Sequence, residues 1–326
     1  MTHRNVDVCI LGGGPAGLSA ALWLKNLGIE PMLLDRQAEL GGMQRLNFLP
    51  NEWVLGIPGR TGPELADQYA KHAGGLGIRI AASSEVLAIR RQPTGFLVRF
   101  NDGNGVGGEC AAKALIIATG THPRGVEALP GVTGVGEAGE DLVHGPYAFS
   151  DLDVLAGRRV LIVGGGDNAF ENAKRLARIA SKITLLIRSR PRAQAAMLAA
   201  VRECENAGNC ELIEEARLRA IRREADGLHV TVSVRSDSRT LACDRIHVLI
   251  GYEPNTEFLP GLLKDGAIAP VQTDADGYIV VDDMMRTSSP GIYAAGDVCN
   301  PKFPSVVAAI GQGAMAAKTI EMDVFK

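Results

Sequence analysis

Residues 8–17 read Val-Cys-Ile-Leu-Gly-Gly-Gly-Pro-Ala-Gly, and residues 160–169 read Val-Leu-Ile-Val-Gly-Gly-Gly-Asp-Asn-Ala. Each is a four-residue apolar run closed by three glycines. A run that short, bounded by glycine, fits a buried strand rather than a helix. A helical pattern follows each, over Pro15–Leu27 and Asp167–Ala180. A second apolar strand follows each helix, at Pro31–Leu34 and Lys182–Ile187. The chain therefore holds two β-turn-α-β units, which imply parallel sheets with right-handed crossovers.

In the first copy Gly12, Gly14 and Gly17 form G-x-G-x-x-G where strand meets helix. The first glycine permits a tight turn, the second lets a pyrophosphate approach the backbone, and the third lets helix and strand pack closely. The helix opens at Pro15 and Ala16, and its unpaired N–H groups and partial positive charge suit a phosphate. Asp35 ends the next strand, 23 residues after Gly12, with Arg36 beside it. An acid there accepts hydrogen bonds from ribose hydroxyls. This copy is expected to bind a dinucleotide.

In the second copy Gly164, Gly166 and Ala169 form G-x-G-x-x-A, with Asp167 and Asn168 opening the helix. No acid ends the following strand. Arg188, Arg190 and Arg192 stand there instead. An acid suits the free 2′-hydroxyl of NAD, whereas arginines suit the 2′-phosphate of NADP. NADPH is the expected nucleotide, ahead of NADH. The other reading of the same charges is a solvated surface turn.

The remaining segments organise around these units. Ala111–Gly120 reads as an apolar strand, Thr121–Val135 as a Pro- and Gly-rich linker, and Leu228–Val234 and Arg245–Ile250 as strands closing the second unit. Pro290–Asp297 reads as a buried strand, and Pro304–Asp323 as an Ala-rich helix. The pattern predicts an α/β protein with two Rossmann-like, three-layer ββα dinucleotide-binding domains. The second, residues 121–249, is inserted into the first, residues 1–120 and 250–326.

Composition narrows the function classes. A chain of 326 residues suits two domains. A net charge of −3 argues against nucleic-acid or membrane-surface partners. No apolar run approaches the ~18 residues of a membrane span, and the strand entered by Val6 leaves no room for a signal peptide. A cytoplasmic protein is expected. The cysteines at 9, 110, 204, 210, 243 and 299 include no Cys-x-x-Cys, and the six histidines show no metal spacing. Neither a metal site nor a local redox dithiol is expected.

Read in order, GGGPAG (12–17), Asp35, Gly41-Gly42, ATG (118–120), GGGDNA (164–169), GYEPNT (251–256) and GIYAAGDV (291–298) resemble one family. It is the thioredoxin-reductase-like branch of the pyridine nucleotide-disulphide oxidoreductases, and the resemblance covers nearly the whole chain. It implies a homodimer, FAD in the split first domain, and a nicotinamide domain that rotates against it. It also implies that Gly42, Met43, Ala118, Thr119, Gly120 and Gly296 line the FAD, with Asp297 on the ribityl chain. Ser305 and Val306 would present a helix N-terminus to the flavin pyrimidine edge, where N–H groups stabilise negative charge.

The chain departs from that branch in one place. Thioredoxin reductases carry Cys-x-x-Cys-Asp shortly before the second glycine loop. Here the segment reads Tyr147-Ala148-Phe149-Ser150-Asp151. Neither Tyr147 nor Ser150 can form a disulfide, while Asp151 keeps the position of the family's acid and is a candidate catalytic residue. The thioredoxin-reductase-like ferredoxin/flavodoxin–NADP reductases also lack the dithiol, and Leu49–Val54 has a shape similar to a segment of theirs. The expected function is transfer of a hydride from NADPH to FAD, then of electrons to a ferredoxin- or flavodoxin-type protein or a small-molecule acceptor. One alternative is a reductase of a small disulfide, using Cys299 or a distant cysteine. Another is a flavin-binding sensor with little turnover.

Overall fold

The computed structural model describes residues 2–129, 131–146, 152–262 and 269–326. The chain packs as two compact units, Met1–His122 with Glu253–Lys326, and Pro123–Tyr252.

The first unit begins with β1 (Thr2–Asn5), β2 (Val8–Leu11), α1 (Pro15–Asn26), β3 (Pro31–Leu34), α2 (Gly62–Gly75) and β4 (Arg79–Ala81). Three longer strands follow, β5 (Glu85–Gln92), β6 (Gly95–Asn101) and β7 (Gly107–Ala112), and then β8 (Ala114–Ile117) and β9 (Thr121–Pro123). The second unit holds α3 (Val135–Ala138), β10 (Leu142–His144), β11 (Arg159–Val163), α4 (Asp167–Leu176), β12 (Lys182–Leu186), α5 (Ala195–Asn206) and β13 (Cys210–Ile213). It continues through the meander β14 (Ala216–Glu224), β15 (Gly227–Val234) and β16 (Asp237–Cys243) to β17 (Arg245–Val248), after which β18 (Tyr252–Pro254) spans the boundary. The chain then returns to the first unit with α6 (Leu259–Leu262), β19 (Ile292–Ala294) and α7 (Val306–Ile320).

Both units have the same three layers, and the alternation of side chains along the central strand shows why. The first has a parallel sheet in the order β19-β8-β2-β3-β4. Successive residues of β2 point to opposite faces. Val8 and Ile10 pack with α1 and α7, while Cys9 and Leu11 pack with the sheet of β5, β6 and β7. The second has a parallel sheet in the order β10-β17-β11-β12-β13. There Val160 and Ile162 face α4 and α5, and Leu161 and Val163 face the β14–β16 meander. A strand buried on both faces has to be apolar throughout, which is why these runs show no alternation in the sequence.

Three segments differ from the sequence reading. The run 111–120 is two strands in different sheets, because the chain breaks at Lys113. Its N–H donates to Asp7 O (2.9 Å) and its ammonium pairs with Asp7 (2.9 Å). The 121–135 stretch is no plain linker, since β9 pairs with β18 where the chain crosses between the units. The helix after the second glycine loop stops at Leu176, where the backbone turns back toward β12 through Ile179 N–H to Leu176 O (2.9 Å). Among the described residues no helix is long and apolar enough to cross a membrane.

Candidate functional site

In each sheet the strand that leads into the triple glycine lies between the next strand in sequence and one that arrives much later. β2 lies between β3 and β8, and β11 between β12 and β17. Loops leaving the carboxyl ends of such a strand pair diverge and open a crevice, the usual ligand position in this architecture. Both triple-glycine loops sit there.

The first glycine of each loop is set by the same contact. Gly12 has φ +111°, and a Cβ on it would lie 2.2 Å from Ala118 O. Gly164 has φ +157°, and a Cβ there would lie 2.2 Å from Leu249 O. In both copies the turn is pressed against the backbone that follows the late-arriving strand, so no side chain fits. Gly17 and Ala169 take the third place. A Cβ on Gly17 would meet Gly12 O at 1.9 Å, whereas the second copy accommodates the alanine.

Gly14 and Gly166 are a different case. Their φ values, −73° and −99°, are ordinary. A Cβ on Gly14 would meet nothing nearer than Gly42 Cα at 4.0 Å, and one on Gly166 nothing within 4 Å. The chain itself has no need of glycine at either place. What their bareness provides is open space at the N-termini of α1 and α4, neither of which has a side-chain cap. Uncapped N–H groups facing open space fit a phosphate.

Around the first loop, Gly13 N–H donates to Asp35 Oδ2, and Gln37 N–H to Asp35 Oδ1 (2.7 Å). Asp35 is thus fixed by the loop that it borders, while Arg36 is exposed. Gly41 N–H donates to Gly13 O (2.8 Å), which lays the Gly41-Gly42-Met43 turn over the glycine loop. A Cβ on Gly42 would reach 3.2 Å from Gly14 Cα. The Ala118-Thr119-Gly120 turn is tied by Asn255. Its Nδ2 donates to Thr119 O (2.7 Å), its N–H to Gly120 O (2.9 Å), and its own carbonyl accepts from Thr119 Oγ1 (2.8 Å). His122 completes the knot through Asn255 Oδ1 (2.8 Å).

Gly296 (φ +86°) brings the Asp297 turn against α1, where a Cβ would meet Ala16 Cβ at 2.8 Å. Its N–H donates to Gln312 Oε1 on α7 (2.9 Å). Burial pushes the Asp297 carboxyl up to about 6, against the Ser305 backbone N–H that draws it down. Asp297 Oδ1 and Gln44 Nε2 are both buried without a partner. Buried polar atoms are normally satisfied, so an acceptor and a donor left over in this unit fit a polyhydroxylated ligand. Ser305 caps α7, its side chain accepting from Ala308 N–H (3.2 Å), with Val306 as the first helical residue.

Around the second loop, Asn168 Nδ2 donates to Tyr252 Oη (2.9 Å), and Asp167 accepts from Gln194. Arg188, Arg190 and Arg192 are exposed. Among the described residues no carboxylate pairs with them, whereas Arg175, Arg202, Arg235 and Arg239 of the same unit each have one.

Of the catalytic candidates, Asp151 lies outside the described residues, as do Tyr147 to Ser150. Cys299 belongs to the Asp297 turn. Its thiol donates to Gly296 O (3.3 Å), and burial together with the Asp297 carboxylate pushes it up to about 12. That shift works against the thiolate form a nucleophile needs. Asn255, Gln44 and Gln194 escaped the sequence reading. Only the neighbouring Gly-Tyr-Glu-Pro-Asn motif pointed toward one of them, Asn255.

A model of the family described as pyridine nucleotide-disulphide oxidoreductase matches residues 6–313. The chain is 32% identical, over 97% of its length, to one component of the alkyl hydroperoxide reductase of Pseudomonas aeruginosa, and it spans only 58% of that protein. It is 31% identical to the thioredoxin reductase of Treponema pallidum, over 97% of this chain and 96% of that one. Among solved structures, the thioredoxin reductase of T. acidophilum matches with a TM-score of 0.84 and 29% identity, covering 99% of this chain and 100% of that one.

Proposed function

We propose, starting from the fact that this chain belongs to the pyridine nucleotide-disulphide oxidoreductase family, that it oxidises NADPH and passes the electrons to an acceptor other than thioredoxin. It is a thioredoxin-reductase-like, FAD-dependent oxidoreductase. The finer reading is a cytoplasmic homodimer that serves a ferredoxin- or flavodoxin-type protein. One observation carries it: both dinucleotide loops are complete while the sequence contains no Cys-x-x-Cys.

FAD held by the first unit would supply the redox chemistry, hydride acceptance and release of electrons singly or in a pair. The chain's own residues bind and orient. In the first unit Gly12, Gly14, Pro15, Ala16 and Gly17 form the loop and the first turn of α1, where the uncapped N–H groups of Ala16 and Gly17 would take the pyrophosphate. Asp35 accepts from the adenosine ribose, and Asp297 from the ribityl hydroxyls. Gly42, Met43 and the Ala118–Gly120 turn would wall the FAD, and the N-terminus of α7 at Ser305 and Val306 would be placed for the flavin. In the second unit the backbone N–H groups of the turn Gly164, Gly166, Asp167, Asn168 and Ala169 would hold the nicotinamide nucleotide's pyrophosphate. Arg188 and Arg190, free of carboxylates among the described residues, take its 2′-phosphate. Exposed apolar side chains on the packed pair α1 and α7, Trp23, Val307 and Met315, support the homodimer.

Anaerobic rapid mixing tests the reading. NADPH is expected to bleach the visible flavin absorbance at least tenfold faster than NADH at equal concentration. That is the size of about one charge-assisted contact. Equal rates would remove the NADPH preference, and no bleaching by either nucleotide would sink the oxidoreductase reading in favour of a sensor.

Cys299→Ser separates the acceptor classes. With its thiol held protonated, the substitution is expected to change flavin reduction and turnover with an artificial one-electron acceptor by less than twofold. Loss of all turnover would favour a disulfide reductase instead.

A further inference from the structure

We infer that Asp167 and Gln194 are positioning residues for nucleotide selection, stapling the arginine loop onto the second glycine loop. The inference deepens the proposed 2′-phosphate role of the arginines and rests on it.

The loop 188–193 leaves the end of β12 and enters α5. Its entry is fixed by Ile187 N–H to Ile213 O (2.9 Å). Its middle is fixed by Arg192 N–H to Gly165 O (2.7 Å). Its exit is fixed by Gln194, whose N–H donates to Asp167 Oδ1 (2.8 Å) and whose Nε2 donates to Asp167 Oδ2 (3.1 Å). Gln194 is the N-cap residue of α5, yet its side chain makes no cap. It reaches instead to the first residue of α4. At the loop's entry a Cβ on Gly165 would lie 2.9 Å from Ile187 Cγ2, and Arg190 O is within ordinary contact at 3.9 Å.

These contacts serve two ends. Three exposed arginines on a free six-residue loop would lose much of their attraction for a phosphate to the entropy of ordering. Bonded at entry, middle and exit, the loop meets that cost on folding. Asp167 also carries a negative charge at the helix N-terminus proposed for the pyrophosphate. Two donors from Gln194 bond one to each of its oxygens, so the carboxylate is committed to the loop. The ligand class addressed is an adenosine with a phosphorylated 2′-hydroxyl.

The test uses the purified holoprotein and two redox-inert probes, 2′,5′-ADP and 5′-AMP, titrated by calorimetry. The quantity read is the ratio of their affinities, which a general loosening of the fold moves little. Asp167→Ala and Gln194→Ala are each expected to lower the wild-type ratio about fivefold, the scale of one side chain no longer pre-ordered. Asp167→Asn is expected to restore it to within twofold. An asparagine still accepts from Gln194 N–H, and its amide can donate to Gln194 Oε1. Arg188→Ala added to Asp167→Ala should lower the ratio by less than the two separate effects combined, as expected for groups acting as one unit. An unchanged ratio in Asp167→Ala, with the thermal melt of the wild type, overturns the staple. A wild-type ratio near one overturns the 2′-phosphate reading itself, and the staple's role falls with it.

Discussion

Gly17→Ala is expected to yield a protein that purifies without flavin and melts roughly 5–10 °C below wild type. In an exposed helix the same change would stabilise by about 1 kcal/mol, because alanine is the better helix former. Here the added Cβ would lie 1.9 Å from Gly12 O and 3.3 Å from Ile10 Cγ2. To relieve that, α1 would have to move away from β2. It has nowhere to go, because α7 presses on it from another side. A Cβ on Gly313 would meet Ala16 O at 2.1 Å, so α1 and α7 already touch backbone to backbone. Overpacking of this kind costs about 1–3 kcal/mol or more, and each kcal/mol lowers the melting point of a unit the size of the first by roughly 2–4 °C. Flavin loss follows from the same displacement, since the N–H groups of α1 no longer lie over the glycine loop.

Gly14→Ala is the informative control. That Cβ meets no atom nearer than 4.0 Å, so the apo protein should melt with wild type while FAD affinity falls. Flavin content from absorbance and melting by circular dichroism check both. If Gly17→Ala keeps its flavin and its melting point, close packing of α1 on β2 is not what places the site.

Asp297→Asn is expected to stabilise the apo protein and weaken FAD binding together. In the folded chain burial holds this carboxyl at about 6, whereas in the unfolded chain it titrates near 4. Between those values the folded state keeps the extra proton. Stability therefore falls as pH rises from about 4 to about 6, and the full penalty of about 3 kcal/mol stands at pH 7. Asparagine does not ionise, so the variant apo protein should melt about 5–10 °C above wild type at pH 7 and little differently at pH 4. With FAD the sign reverses. Ribityl hydroxyls donating to the unpartnered Oδ1 would favour the carboxylate, a charge-assisted contact worth about 1.5–3 kcal/mol. The variant should bind FAD roughly 10–100-fold more weakly at pH 7. Wild-type affinity should also fall about tenfold per pH unit below 6, and the variant's should not. A variant whose apo melting point matches wild type at pH 7 would show that Asp297 is not buried as a charge.

Both glycine loops, Asp35, the arginine cluster and the missing dithiol were legible in the sequence alone. Each is a local pattern: a run of glycines fixed to the end of an apolar strand, or a residue type at a short spacing. The helix-facing and sheet-facing sides of β2 and β11 follow from strand geometry once those strands are identified. The meanders were largely illegible. β5, β14 and β16 carry runs such as Ile89-Arg90-Arg91 and Ile221-Arg222-Arg223, in which arginines on the exposed face mask the alternation. The break at Lys113 was hidden too, because an apolar run does not announce that it changes sheets.

Only the tertiary structure decided the contacts between distant segments. Gly12 against Ala118 O and Gly164 against Leu249 O join positions about a hundred residues apart. Asn255 tying the Thr119 turn, and Gln194 leaving the cap of α5 for Asp167, depend on strand order. The same holds for the proton on Cys299. Its spacing from Gly296-Asp297 was plain, but burial and the neighbouring carboxylate, not sequence position, keep it a thiol. Residue types and short spacings determine which chemistry is offered, because strand and turn geometry are local. Which groups meet, and in what charge state, depends on packing and desolvation, which no single stretch of chain contains.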